Sequence, residues 1–253
     1  MTEHEYLATG WDDDAPARDT VARDALRAIS DLWATWAQAA GGRVHREAGL
    51  TLSDAGSPCL FVNHADSALP VDVELARRIV EFFPQGPFLL LTPRHTDDLR
   101  PAGLTLMGHP PFMVRAPGGA APPLPAEVTV DEVSTPTELA IWDRVLAEGF
   151  PVPASPAPPS LLGGGVPRFW LARVDGEPAA VAASYTAHGV TDVEMVATLP
   201  AFRGRGVGAA VTWAATLAEP SVPSVLISSD LGRSVYERMG YLAVMRWTIW
   251  FRA

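Results

Sequence analysis

The chain has 253 residues, 48% of them apolar and 19% charged, which supplies a real core and excludes a disordered chain. At about 150 residues per domain the length admits one large domain or two small ones. A net charge of −10 argues against nucleic acid as the main partner and favours a cationic one.

Residues 1–19 read as a flexible polar tail. Leu26, Ile29, Trp33 and Trp36 recur at spacings of three and four, which predicts a helix from Thr20 to Ala39, stopped by Gly41-Gly42. Val44 to Leu52 and Cys59 to Asn63 read as strands joined by an Asp54-Ala55-Gly56 turn. Pro70 introduces a second helix with Val73, Ala76, Ile79 and Val80 on one face. Phe88 to Leu91 reads as a buried strand, and Phe112 to Arg115 as the last strand of an N-terminal unit spanning 20–116. Pro117, Pro122, Pro123 and Pro125 fit neither a helix interior nor a central strand, so 117–125 reads as a linker.

The second unit, 126–253, opens with a strand from Glu127 to Val133. Thr135-Pro136-Thr137-Glu138 has the form of a capping box with Pro at the first helical position, and its helix is expected to reach Glu148. Residues 150–167 form a loop rich in Pro and Gly, readable as a shaped lid or as a tolerated insertion. Phe169 to Val174 and Ala179 to Thr186 form a hairpin around Asp175-Gly176. His188-Gly189 turns the chain into a strand from Val193 to Leu199. A Gly-rich turn then opens a helix, Val207 to Ala218. Val222 to Ser228 is a strand, Leu231 to Met239 a short helix, and Ala243 to Phe251 the closing strand. The ends of the two units echo each other. Leu99-Arg100-Pro101-Ala102-Gly103-Leu104 before Met113-Val114-Arg115-Ala116 has the plan of Tyr236 to Tyr241 before Ile249 to Ala253, which suggests a duplicated unit.

Chemistry concentrates in the turn Arg203-Gly204-Arg205-Gly206-Val207-Gly208. A helix N-terminus offers unpaired N–H groups and partial positive charge, glycines let a phosphate approach the backbone, and two arginines add charge. The pattern suits a pyrophosphate. It is neither Gly-x-Gly-x-x-Gly nor the Walker pattern, and all 19 basic residues are Arg, which leaves no P-loop lysine. The turn also follows an antiparallel run, not the first strand–helix unit of a dinucleotide fold.

Arg203, Gly206 and Gly208 match Arg/Gln-x-x-Gly-x-Gly/Ala, and Val235-Tyr236-Glu237-Arg238-Met239-Gly240-Tyr241 follows. In these two motifs residues 126–253 resemble the GNAT N-acetyltransferase superfamily. The resemblance implies a mixed α/β fold of the GNAT type, a twisted and mostly antiparallel sheet flanked by helices. It implies acetyl-CoA as cosubstrate, with Met195, Val196, Ala197 and Thr198 pairing with the pantetheine arm. Arg203, Gly204, Arg205, Gly206, Val207 and Gly208 would hold the pyrophosphate. Ser229 or Ser228 would replace the asparagine that many members carry at Ser228-Ser229-Asp230. Tyr236 stands where the family's general acid stands. A carboxylate on the cofactor strand often serves as base; Glu194 is the first candidate and Asp192 the second, strand alternation placing Asp192, Glu194 and Val196 on one face.

The expected function is direct acetyl transfer to the primary amine of a small, cationic acceptor. The alternatives are a non-catalytic acyl-CoA sensor or partner protein, and a peptide or protein N-acetyltransferase. The N-terminal unit reads as a degenerate related or accessory module that binds no cofactor. A single cysteine, Cys59, excludes an intrachain disulfide and a cysteine metal cage and reads as a small buried residue. No histidines pair at metal-ligand spacing, so no metal is expected. The longest apolar runs fall far short of the roughly 18 residues a membrane span needs, and no charged-then-apolar leader opens the chain. The expected location is cytoplasmic, without membrane partners and with a homodimer left open.

Overall fold

A computed structural model describes residues 18–84, 86–150, 152–165 and 167–253; the expected N-terminal tail lies almost wholly outside the described residues. Helix α1 (Arg18–Ala39) buries Leu26, Ile29, Trp33 and Trp36, the stripe its spacing predicts. Two strands follow where one was expected. Gly49, with φ +81°, turns the chain between β1 (Arg43–Glu47) and β2 (Leu50–Asp54), a conformation glycine adopts without steric cost. The apolar run Cys59 to Asn63 is not a strand either. It winds through a 3-10 turn at Leu60–Val62, and the strand β3 is the polar stretch that follows, His64–Ser67. Asn63 pins the turn: its amide donates to the carbonyls of Ser57 and Pro87, both at 2.8 Å. Every residue of β3 is buried, so this strand lacks the apolar pattern that marks a core.

Helix α2 (Val73–Phe82) is capped by Asp72 and crosses to β4 (Phe88–Thr92), which pairs parallel with β3. Strands β5 (Thr105–Gly108) and β6 (Pro111–Arg115) end the first unit; β5 was not foreseen.

The second unit repeats the plan. Strand β7 (Val128–Glu132) leads to α3 (Pro136–Gly149), whose N-cap Thr135 accepts from the Glu138 N–H at 3.2 Å while Glu138 accepts from the Ser134 N–H at 3.2 Å. Strands β8 (Arg168–Val174), β9 (Glu177–Ala187) and β10 (Val190–Thr198) run antiparallel. Helix α4 (Val207–Thr216) crosses to β11 (Ser224–Ile227), parallel to β10. Helix α5 (Arg233–Arg238), β12 (Leu242–Arg246) and β13 (Thr248–Arg252) finish the described chain.

The expected single closing strand is therefore two. Between them Trp247 is fully buried, donates its backbone N–H to Pro110 O at 3.0 Å and stacks on Phe112 at 4.7 Å. This anchor sends β12 and β13 into different sheets. The six-stranded sheet has the order β1-β2-β3-β4-β13-β5, and the seven-stranded sheet β12-β6-β11-β10-β9-β8-β7. In each, a strand from the other side of the linker sits between two strands of the local unit. Aligned on their parallel pairs, β3 with β4 and β10 with β11, the two sheets have the same order, with β7 added at one edge. The first half is thus a second copy of the fold, and the two halves exchange their last strands. Among the described residues no helix is long and apolar enough to cross a membrane.

Candidate functional site

Where the halves meet, a cavity of about 490 Å³ opens between α1, β3, α3, β10 and β11. Strand pairing explains its floor. Strands β10 and β11 pair only at Thr191 with Ser224 and at Asp192 with Val225, then diverge. The ladder of β10 with β9 shifts register between Glu194 and Ala197, and Met195 takes φ +54°. This bulge leaves the β11-facing edge of β10 unpaired just where Val193 to Val196 and Leu226 to Ser229 line the cavity. It also breaks the expected alternation. Val196 packs with Val193 in the cluster behind the sheet, so it does not share a face with Asp192 and Glu194.

Glu194 and Tyr236 both line the cavity. Burial pushes the Glu194 carboxyl up to about 7; nearby His64 pulls it down and Asp66 adds to the rise. Burial, with a contribution from the Glu194 charge, pushes the Tyr236 phenol up to about 12. At neutral pH the pair therefore offers a carboxyl poised between its two forms and a phenol that keeps its proton. Asp192 is not on the cavity wall. It is fully buried, neither oxygen has a hydrogen-bond partner among the described residues, and burial, aided by Glu194 and Asp66, holds it well above the usual carboxylate range. Off the wall and held toward its neutral form, it is poorly placed to act as a base.

Facing Glu194 from the first half is a group sequence reasoning missed. On β3, His64 places Nδ1 3.1 Å from Asp66 Oδ1 and Nε2 3.2 Å from the Phe61 carbonyl. The ring stacks on Trp33 at 4.5 Å. The usable signal was the duplication: β3 is the first-half counterpart of β10, and each carries its titratable pair at positions i and i+2.

The glycine-rich turn lies beyond the cavity wall. Gly204 and Gly206 have φ +76° and +78°, and a Cβ on either would meet open space. Gly206 caps α4 without any side-chain hydrogen bond, so the first amides of the helix remain available. At Gly208 a Cβ would stand 2.7 Å from Thr198 Oγ1, so glycine is what lets the helix approach β10. Arg203 is used within the protein, donating to Thr198 O at 3.2 Å and Gly149 O at 2.9 Å. The Arg205 guanidinium sits 5.5 Å from the Phe202 ring centre. Ser229 lines the cavity, and its Oγ accepts from the Gly232 N–H at 3.0 Å. Of the residues expected to bind or react, Glu194, Met195, Val196, Ser229 and Tyr236 line the cavity; Ala197, Thr198 and Arg203 to Gly208 do not.

Much of the remaining wall is apolar, with His109, Asp143, Ser155 and Asp230 among its polar members. Asp143, Leu146, Ala147 and Phe150 follow the i, i+3, i+4, i+7 spacing of one helix face. Burial pushes the Asp143 carboxyl up to about 6, and its Oδ1 accepts from the Ala157 N–H at 2.9 Å. That bond holds the Pro-rich loop to α3, the 2.8 Å contact between the Ser57 and Ser155 hydroxyls ties it to the first half, and Val152 to Ser155 line the cavity. Cys59 also reaches the cavity, but burial raises its thiol, so it is not an activated nucleophile.

Residues 140–241 match the model of the Acetyltransferase (GNAT) family. Among solved structures, a GCN5-related N-acetyltransferase from Kribbella flavida is similar at 23% identity and a TM-score of 0.65, covering 90% of this chain and 95% of its own. One from Sphaerobacter thermophilus aligns at 13% identity and 0.53, covering 94% of each chain. A conserved protein of unknown function from Staphylococcus epidermidis aligns at 13% and 0.57, covering 83% of this chain and 94% of its own. At these identities the likeness shows the fold. No curated protein matches the chain.

Proposed function

We propose, from the premise that residues 140–241 form a GNAT acetyltransferase domain, that the chain transfers an acetyl group from acetyl-CoA directly to the primary amine of a small acceptor that arrives as a cation. One observation carries this reading: the cavity enters the gap between diverging β10 and β11 and has Glu194 and Tyr236 on its wall.

The residues fit the donor. The unpaired edge of β10 from Met195 to Thr198 can pair with the amide groups of a pantetheine arm. The uncapped turn Gly204 to Gly208 can take the pyrophosphate through backbone amides. Arg205 and Ser229 are the nearby side chains for further contacts.

The amine nitrogen bonds to the thioester carbonyl carbon, the C–S bond breaks, and the sulfur leaves with the electron pair. Glu194, as carboxylate, takes one proton from the ammonium before the attack, and the second proton the nitrogen loses as the amide forms restores the phenol that Tyr236 uses up. Tyr236 gives its phenol proton to the departing sulfur. A phenol that holds its proton to about pH 12 is ready to donate at pH 7, and a carboxyl near 7 is matched to accept.

The test is Tyr236→Phe. Its kcat is expected to fall about 100- to 10,000-fold while calorimetry shows CoA binding little changed, the mark of an interaction made in the transition state. An unchanged kcat would remove the acid role. CoA binding with no turnover of any amine would favour the sensor reading.

A further inference from the structure

We propose that the acceptor carries its amine on an apolar body the size of one aromatic ring or a short alkyl chain, seated in the part of the cavity that α1, the Leu60–Val62 turn and α3 supply. The inference rests on the acyl-transfer reading above and names the acceptor class it leaves open.

The cavity has two ends of different chemistry. Toward β10, β11 and α5 it presents backbone edges, Ser229, Glu194 and Tyr236, the groups the donor and the reaction need. Away from them it presents Trp33, Phe61, Leu146, Phe150 and Val152. Phe61 and Phe150 meet edge to face at 5.4 Å, one from each half, and form a bridge over the apolar end. Burying apolar surface of an acceptor against such walls is favourable. A second ammonium placed there would lose its water for one counter-charge, Asp143, whose Oδ1 the Ala157 N–H already occupies.

Charge supports the same class. The cavity wall holds three carboxyls, Glu194, Asp143 and Asp230, and no arginine among its described residues, and the chain has no lysine. An acidic acceptor would meet these carboxyls with only the imidazoles of His64 and His109 to offset them. Asp143 already accepts from the Ala157 N–H and Asp230 pairs with Arg246 at 2.7 Å, which leaves Glu194 as the carboxylate for a single ammonium. Size supports it as well. The roughly 490 Å³ has to hold the thioester end of the donor besides the acceptor, which excludes bodies as large as an aminoglycoside.

The full chain is tested with saturating acetyl-CoA by following released thiol, with 2-phenylethylamine, butylamine, hexylamine, putrescine, spermidine and an aminoglycoside as acceptors. The expected kcat/KM for 2-phenylethylamine is at least tenfold above that for putrescine. From butylamine to hexylamine it is expected to rise about fourfold per methylene, the factor that about 0.8 kcal/mol per buried CH₂ gives. Phe150→Ser, at a half-exposed position, is expected to lower kcat/KM for the apolar amines about tenfold with KM for acetyl-CoA unchanged. A diamine, polyamine or aminoglycoside as best acceptor, or no gain with chain length, overturns the proposal. Calorimetric titrations separate the two levels of the argument. Failure of CoA to bind removes the acyl-transfer reading. Titration with 2-phenylethylamine against 2-phenylethanol then decides the cavity alone: tighter binding of the amine keeps the assigned ligand class, and no binding removes it.

Discussion

Burial raises both Glu194 and Tyr236, and the same cause has opposite consequences for the two. A raised phenol keeps the proton it is to donate, whereas a raised carboxyl gives up its proton only near neutral pH. Activity is therefore expected to rise along an acid limb centred near pH 7, the value to which Glu194 is pushed. Glu194→Gln should lower kcat/KM and abolish that limb; a limb that persists in the variant would assign it to another group. The groups facing this carboxyl are His64 and Asp66 from β3, Asp192 from its own strand and Tyr236 from α5. Of these, His64 favours the ionised form, so His64→Leu is expected to move the limb to higher pH. A limb that stays in place would mean that the His64 charge does not reach Glu194. The sign for stability runs the other way from catalysis. With a folded value above its ordinary 4.5, Glu194 binds more protons in the folded than in the unfolded state between about 4.5 and 7. Its contribution thus weakens the fold as pH rises through that window. Glu194→Gln should match the parent's Tm at pH 4.5 and exceed it by about 2–6 °C at pH 8.

Helix α4 with its preceding turn was legible in the sequence because the constraint is local. Three glycines between a strand and a run of small residues state where φ must be positive and where a helix must come close, and Gly206 and Gly208 meet those two demands. The capping box of α3 and the Asp175-Gly176 hairpin were legible for the same reason. Strand β3 was not. His64, Asp66 and Ser67 are polar, so hydrophobic pattern placed the strand one segment too early, on Cys59 to Asn63. Its burial comes from α1 and the opposite sheet, which no local window contains. The bulge at Met195 was hidden likewise, since nothing in Glu194-Met195-Val196 announces a residue with positive φ. At this scale the prediction concerns Gly206→Glu. The side chain meets open space, so packing survives. The backbone at φ +78° costs an L-residue about 1–2 kcal/mol, and the carboxylate stands where a phosphate is to lie. CoA affinity is expected to fall at least a hundredfold while Tm drops by only a few degrees. Undiminished affinity in a folded variant would move the pyrophosphate away from this turn.

The exchange of β6 and β13 decides how the molecule behaves as a whole. The echo between residues 99–116 and the end of the chain was visible as a pattern, but a pattern of duplication does not say that the copies trade strands. That depends on where Trp247 is buried and on which neighbours complete each sheet. Strand β13 pairs with β4 over five residues and with β5 on its other edge. Trp250 is buried there and donates Nε1–H to Thr96 Oγ1 at 3.0 Å. Strand β6 is held equally, between β11 and β12. Each half thus lacks an internal strand unless the other supplies it, and opening one sheet withdraws a central strand from the other. Unfolding in urea is expected to be one transition, coincident by tryptophan fluorescence and far-UV circular dichroism. A protease site placed at Gly118-Gly119, both at positive φ in the linker, gives the sharper test. After cleavage the two fragments should stay together in size-exclusion chromatography and separate only in denaturant, because four edges of strand pairing and the shared core still join them. Two resolved transitions, or fragments that part in native buffer, would show that each half completes its own sheet in solution and that the cavity between them is not a fixed part of the fold.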